Sequence, residues 1–264
     1  MITTDFVPGS PCWLDLGAAD PAAAVRFYSA VFGWEADRWD EGYTILRRDG
    51  RAVAAVGVLT EEGGRPAWVV YYATDDADAA ADAVEKAGGT VRARPFDAGD
   101  AGRIAQFSDP QGGEFAVWQA GAMAGLEDTD GPDSFGWAEL WTPDAAGARA
   151  FYEAVFGWWY MDTPLPGADG AAGTYSMISP KGQPAERMHG GLMEVGAEEL
   201  AGSGGKADWH PVFYVTDCDA SAARATGAGG RLLMGPEDAP GVGRLAVCAD
   251  PEGAGFVLLA PNPD

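Results

Sequence analysis

Two short stretches carry residue types that can hold or transform a small molecule. Trp13 and Asp15 alternate with Cys12 and Leu14, so on a strand they share one face. Trp137 and Glu139 repeat that pattern, with Trp141 two residues further along the same face. An indole beside a carboxylate supplies an apolar wall and a proton acceptor. In an apolar setting the carboxyl pKa rises, and the group can serve as general acid or base. Asp15 and Glu139 are therefore the candidate acid–base residues; the alternative is that each pairs with an arginine or faces solvent. The chain has two histidines, His189 and His210. His210, in Trp209-His210-Pro211, opens a strand and is the third catalytic candidate, against the plainer reading of an edge histidine. His189 precedes Gly190-Gly191 after a flexible segment and is expected to line a pocket. There is no Gly-x-Ser-x-Gly, Walker loop or Rossmann glycine pattern.

The elements that must position these residues occur twice. Phe27-Tyr28-Ser29-Ala30-Val31-Phe32-Gly33-Trp34 returns as Phe151-Tyr152-Glu153-Ala154-Val155-Phe156-Gly157-Trp158, at an offset of 124. Thr74-Asp75-Asp76 returns as Thr216-Asp217-Cys218 at 142, and Asp109-Pro110-Gln111-Gly112 as Asp250-Pro251-Glu252-Gly253 at 141. Three landmarks in one order mean a duplication, with about eighteen residues inserted in the second copy between Trp158 and Thr216. The expected organisation is one domain at 1–122, a polar linker at 123–134 and a second domain at 135–264.

Each copy reads as strand, helix, strands, then strand, helix, strands. Pro11 to Leu16 is a half-buried strand. Asp20-Pro21 supplies an N-cap and a first-turn proline, and Gly33 stops the helix. Tyr43–Leu46 and Ala52–Leu59 read as strands around Asp49-Gly50. Trp68–Ala73 is rich in β-formers, and a helix capped by Asp75 or Asp76 runs to Gly88-Gly89. Strands follow at Thr90–Arg94, Arg103–Ser108 and Phe115–Gln119. The inserted segments Asp162–Gly173, Pro180–Arg187 and Gly196–Lys206 are rich in Gly, Pro and Ala and read as loops.

Composition narrows the partners. Over 264 residues the net charge is −23, which argues against nucleic acid and against anionic membrane surfaces. Cys12, Cys218 and Cys248 fall in no metal or redox spacing, and a reducing cytoplasm is the expected home. No apolar stretch reaches the length of a membrane span, and no signal peptide is read at the N-terminus.

A helix with Phe-Tyr-x-x-x-Phe-Gly-Trp, paired strands and a closing Asp-Pro-x-Gly turn resembles the vicinal oxygen chelate superfamily. That family includes glyoxalase I, bleomycin- and fosfomycin-resistance proteins and extradiol dioxygenases. The resemblance covers nearly the whole chain, twice. It implies an α+β fold of four βαβββ modules forming two cupped, partly open barrels, with a ligand in a cup. Whether the cups form within each copy or across the two stays open. The fused pair forms a pseudo-dimer within one chain, expected as a monomer or a homodimer.

The family also implies a divalent metal held by His and Glu on the inner face of the cup. The first ligand position, fourteen residues before the helix Phe, falls on Trp13 and Trp137. Indole has no lone pair to offer. The last position falls on Ala116 and Val257. The middle one falls near Val69 and near Pro211, placing His210 one residue off and on the opposite face. No metal and no cofactor is therefore expected. Tyr71 and Trp118, two residues past the implied inner positions, are expected to line cup one, with Phe213 and Leu259 their counterparts in cup two. Three readings follow. One is a metal-independent protein binding an apolar or aromatic metabolite or antibiotic. Another is a metal-free enzyme of secondary metabolism using Asp15 or Glu139. The third is a metal-dependent enzyme recruiting the histidines. The second cup, with both histidines and a third tryptophan, is favoured.

Overall fold

A computed structural model describes residues 1–61, 63–166 and 172–262. Copy one runs β1 (Pro11–Ala18), α1 (Pro21–Phe32), β2 (Glu35–Arg38), β3 (Tyr43–Arg48) and β4 (Arg51–Val58). It continues with β5 (Ala67–Ala73), α2 (Ala77–Lys86), β6 (Thr90–Asp97), β7 (Gly102–Ser108) and β8 (Glu114–Ala120). Copy two runs β9 (Ser134–Thr142), α3 (Ala145–Phe156), β10 (Trp159–Pro166), β11 (Ala172–Ser179) and β12 (Gly190–Glu194). It ends with β13 (Asp208–Tyr214), α4 (Cys218–Gly227), β14 (Arg231–Ala239), β15 (Gly243–Ala249) and β16 (Gly255–Pro261). Each set of five elements is one βαβββ module, and the fold is α+β.

The strands form two eight-stranded sheets, ordered β2-β3-β4-β1-β5-β8-β7-β6 and β10-β11-β12-β9-β13-β16-β15-β14. The first strand of a module runs parallel to its last. Asp15 stands opposite Ala55 in β4, and Glu139 opposite Gly191 in β12. The parallel register puts those partners on one face, which is what lets a short β12 shape the surroundings of Glu139.

Local chemistry explains the helices. Asp20 and Asp144 accept from the Ala23 and Gly147 backbone N–H groups, satisfying donors that the first turn leaves free. Gly33 and Gly157 take φ of 74° and 69° and return their N–H groups to Ser29 and Glu153. That left-handed stop suits glycine.

By compactness the chain divides into two units, each taking one module from each copy. One holds Met1–Trp13, Val70–Gly125 and Trp137–Trp209. Its core packs α2 with α3 and stacks Tyr72, Phe115, Tyr152, Trp158 and Trp209 edge-on or face-on. The other holds Leu14–Val69, Leu126–Gly136 and His210–Asp264. Its core packs α1 with α4 around Tyr28, Phe32, Trp34, Trp68, Phe213 and Phe256. Edge-to-face pairs of this kind add ~0.5–1.5 kcal/mol each beyond simple burial. No helix among the described residues is long and apolar enough to cross a membrane.

Two expectations are corrected. β2 was not anticipated, because its four residues are polar and all exposed, leaving no alternation to read. The segment Asp162–Gly173 was expected to be loop. Its two ends instead extend a hairpin, β10 with β11, from Trp159↔Ser179 to Pro166↔Ala172, and 167–171 lie outside the described residues. Pro164 is tolerated there because β10 is an edge strand, with one row of backbone groups unpaired.

Candidate functional site

β9 brings three of the expected residues together. Trp137, Glu139 and Trp141 are half-buried, whereas Ala138 and Leu140 between them and Thr142 beyond are buried. Alternation therefore gives Glu139 a tryptophan on either side. Gly191, opposite Glu139, makes room for Tyr175 of β11: a Cβ at Gly191 would stand 2.2 Å from the tyrosine ring. The Trp137 indole N–H donates to the Tyr175 hydroxyl at 2.7 Å, fixing that ring. Met177 and Met193 follow on the same faces of β11 and β12, both half-buried. The result is one carboxyl on an aromatic and methionine-rich surface.

Burial raises the pKa of Glu139, and side-chain contacts from Trp141 and Tyr175 oppose the rise without cancelling it. No basic residue is among the groups acting on it. The carboxyl is thus poised to accept or hold a proton closer to neutrality than an ordinary glutamate.

Copy one has a smaller version. The Tyr43 hydroxyl donates to Asp15 at 3.2 Å. Tyr43 packs over Gly57 as Tyr175 does over Gly191. Yet Gly17 takes the place of Trp141, and Trp13 is buried. Tyr71 and Trp118 are likewise buried, opposite Ala116 and Ala73 respectively across the β5–β8 register. Trp118 lies across Gly102, and its indole donates to the Met123 carbonyl at 2.9 Å. It also walls a groove with Phe6, Pro8, Ala73 and Ala124. At about 240 Å³ that groove is smaller than ordinary small-molecule pockets, so it is a weaker candidate than the Glu139 face.

Phe213 does not line a cup. Its ring packs 4.9 Å from Phe32 and 5.4 Å from Trp34, on the helix side of the sheet. The cause is register. The Trp68 indole donates to the Tyr28 hydroxyl and Trp209 to Tyr152, each at 2.9 Å, so Trp68 and Trp209 are equivalent. The offset in this strand is 141, not 142. Phe213 then matches the core residue Tyr72, and His210 matches Val69. His210 accordingly lies on the face away from Phe213, with its ring over Gly255.

His189 is also a core residue rather than part of a pocket wall. It is 1 % exposed, with its ring 5.4 Å from Trp158 and 6.2 Å from Tyr72. Burial, then the positive N-terminus and Arg187, push its pKa down to about 3. It is neutral at any physiological pH.

Of the metal positions that the resemblance places, the 141 offset corrects the middle one of copy two from Pro211 to His210, and the others carry Trp13, Trp137, Ala116, Val257 and Val69, so only His210 can ligate. Among the described residues no three His, Cys, Asp or Glu side chains come together. A catalytic metal needs several N or O donors, so this donor set does not fit one.

Sequence reasoning missed Tyr43 and Tyr175. A fourth repeated landmark carried the signal: Tyr43-Thr44-Ile45-Leu46 and Tyr175-Ser176-Met177-Ile178. The Gly/Pro-rich insertion beside the second of them obscured it.

Comparison with known proteins accords with this architecture. The model of the glyoxalase/bleomycin resistance protein/dioxygenase superfamily matches residues 12–117, and that of a glyoxalase-like domain matches 137–259. The anthracycline biosynthesis protein DnrV of Streptomyces peucetius is 41% identical, over 97% of this chain and 94% of its own. The putative glyoxylase CFP32 of Mycobacterium bovis is 37% identical over 98% of both. Among solved structures, the trihydroxybiphenyl dioxygenase of Sphingomonas wittichii has a TM-score of 0.64 at 17% identity, covering 96% of this chain and 91% of its own. The Mn(II)-bound glyoxalase of Novosphingobium aromaticivorans has a TM-score of 0.63 at 18% identity, covering 95% and 82%. At those identities the structures speak for the fold alone. With two family matches in tandem and relatives above one-third identity along its whole length, the chain belongs to the glyoxalase/bleomycin resistance protein/dioxygenase superfamily as a fused pair of domains.

Proposed function

We propose that the chain binds a planar, apolar or aromatic metabolite or antibiotic, without a metal, on the Glu139 face of copy two. The observation that carries this reading is the cluster of half-buried Trp137, Trp141 and Tyr175 around one carboxyl. Flat aromatic side chains favour flat ligands by stacking. In copy one Trp13, Tyr71 and Trp118 are largely buried, and the groove that Trp118 walls carries no half-buried tryptophan pair around a carboxyl. The relatives named for anthracycline biosynthesis concern compounds with fused planar rings, which suits such a wall. The three cysteines are free and buried, in keeping with a reducing cytoplasm.

The test is a tryptophan-fluorescence titration with a fused-ring quinone. Saturable quenching at about one ligand per chain supports the reading. A Trp141→Ala change should weaken binding by about tenfold, given the ~1–3 kcal/mol attributed to an aromatic stacking partner. Absence of saturable quenching overturns the reading.

A second reading is favoured by the raised pKa of Glu139: metal-free acid–base catalysis on the bound molecule. Glu139→Gln would then slow turnover by roughly 10²–10⁴-fold while a neutral ligand still binds. An unchanged rate would remove Glu139 from that role.

A further inference from the structure

We infer that the Glu139 face selects ligands carrying an organic cation, such as an ammonium group on a planar aromatic frame. The inference rests on the reading of that face as a ligand-binding surface. Glu139 is a half-buried carboxylate set among aromatic side chains, which the other half-buried acid raised by burial without an arginine or lysine beside it, Asp130, is not. Asp128 pairs with Arg48 and Arg51. Asp109 and Asp250 accept backbone N–H groups of their own turns and a tyrosine hydroxyl. Among the described residues no basic group acts on Glu139, and its neighbours on the face are Trp137, Trp141, Tyr175, Met177, Gly191 and Met193.

A carboxylate withdrawn from water without a counter-charge is costly, and a cation delivered by the ligand removes that cost. The same cation gains from the faces of nearby indoles, which attract positive charge more strongly than other aromatic rings do. A neutral hydroxyl in its place would give the carboxylate one hydrogen bond and no charge pairing. The net charge of −23 adds a long-range bias towards cationic ligands.

The test uses two fluorescent probes of equal size, aminomethylanthracene and hydroxymethylanthracene, titrated into the full chain and into Glu139→Gln at neutral pH. The expected result is tighter binding of the amine by about tenfold or more, as for a hydrogen bond to a charged group. In Glu139→Gln the ratio of the two affinities should collapse to within about twofold, the amine losing far more than the hydroxymethyl probe. A cooperative melting transition of Glu139→Gln shows that the variant is folded. Equal affinity of the two probes for the unaltered chain overturns cation selection and leaves the aromatic surface standing. Failure of both probes to bind overturns both readings.

Discussion

The Tyr152 hydroxyl donates to the Asp109 carboxylate at 3.0 Å, although the two residues belong to different copies. Trp209 donates to the same hydroxyl, so the tyrosine is used in both directions. Tyr28 and Asp250 repeat the contact at 3.2 Å with Trp68. The helix motif of each copy is thus locked by the turn motif of the other. The residue after each Asp-Pro extends the lock: Glu252 accepts from the Ala19 and Asp20 backbone N–H groups at 2.8 Å, and Gln111 donates to Asp144 at 3.4 Å. Two of the three landmarks that reveal the duplication are also residues that tie one copy to the other.

Tyr152→Phe should lower stability by about 1–3 kcal/mol, the cost of leaving buried partners unsatisfied. Tyr28→Phe should cost a similar amount. Denaturant unfolding checks this, and midpoints that do not move would show the locks to be dispensable.

Asp130 governs a pH dependence. Burial pushes its carboxyl up to about 6, and one of its oxygens has no hydrogen-bond partner. The folded pKa lies above the unfolded one, so the folded state binds the proton more tightly. Its contribution to stability is therefore fully present near pH 4 and is lost as pH rises through 6. Asp130→Asn should flatten that slope and raise stability at neutral pH. Asparagine tolerates the left-handed backbone at this residue, where φ is 63°. Parallel melting curves at pH 4.5 and 7.5 decide the matter; the same slope in both proteins would exonerate Asp130.

Glu139→Gln should stabilise the chain at neutral pH, where a charged carboxylate pays for its burial. The gain should shrink as pH falls towards the ordinary glutamate value of about 4.3. A variant less stable than its parent at neutral pH would mean that the carboxylate has a stabilising partner.

His189→Phe should be neutral or stabilising by about 1 kcal/mol, since it replaces two unpartnered ring nitrogens among aromatic neighbours. A large loss on thermal melting would instead reveal a buried water or ion on the ring.

Gly191→Ala places a methyl where the Tyr175 ring now lies. Overpacking of this kind costs ~1–3 kcal/mol. It should also displace Tyr175 and weaken ligand binding without altering Glu139 itself. A crystal structure of the variant and its binding curve would test both halves; unchanged affinity would remove Tyr175 from the site.

The sequence made some of this legible and hid the rest. Trp137, Glu139 and Trp141 were readable because strand alternation is strict and all three side chains share one face. The repeat exposed the modules because its landmarks are helix-core aromatics, helix caps and closing turns, whose residue types are fixed by local geometry. Phe213 was misplaced by a single residue, which on a strand exchanges inside for outside. Tyr175 was hidden because its strand begins in glycine-rich sequence, where composition suggests loop. His189 reads as a pocket residue because it follows a glycine- and proline-rich segment, and here an aromatic core has enclosed it.

The exchange of modules between copies bears on how such a chain can evolve. The compact unit that contains Glu139 also contains the Asp109 turn, which comes from the other half of the gene. Whatever copy one binds, its closing turn braces the α3 helix of copy two through the Tyr152–Asp109 contact. Each compact unit is thus built from both halves of the gene, so removing either half takes a module from both units.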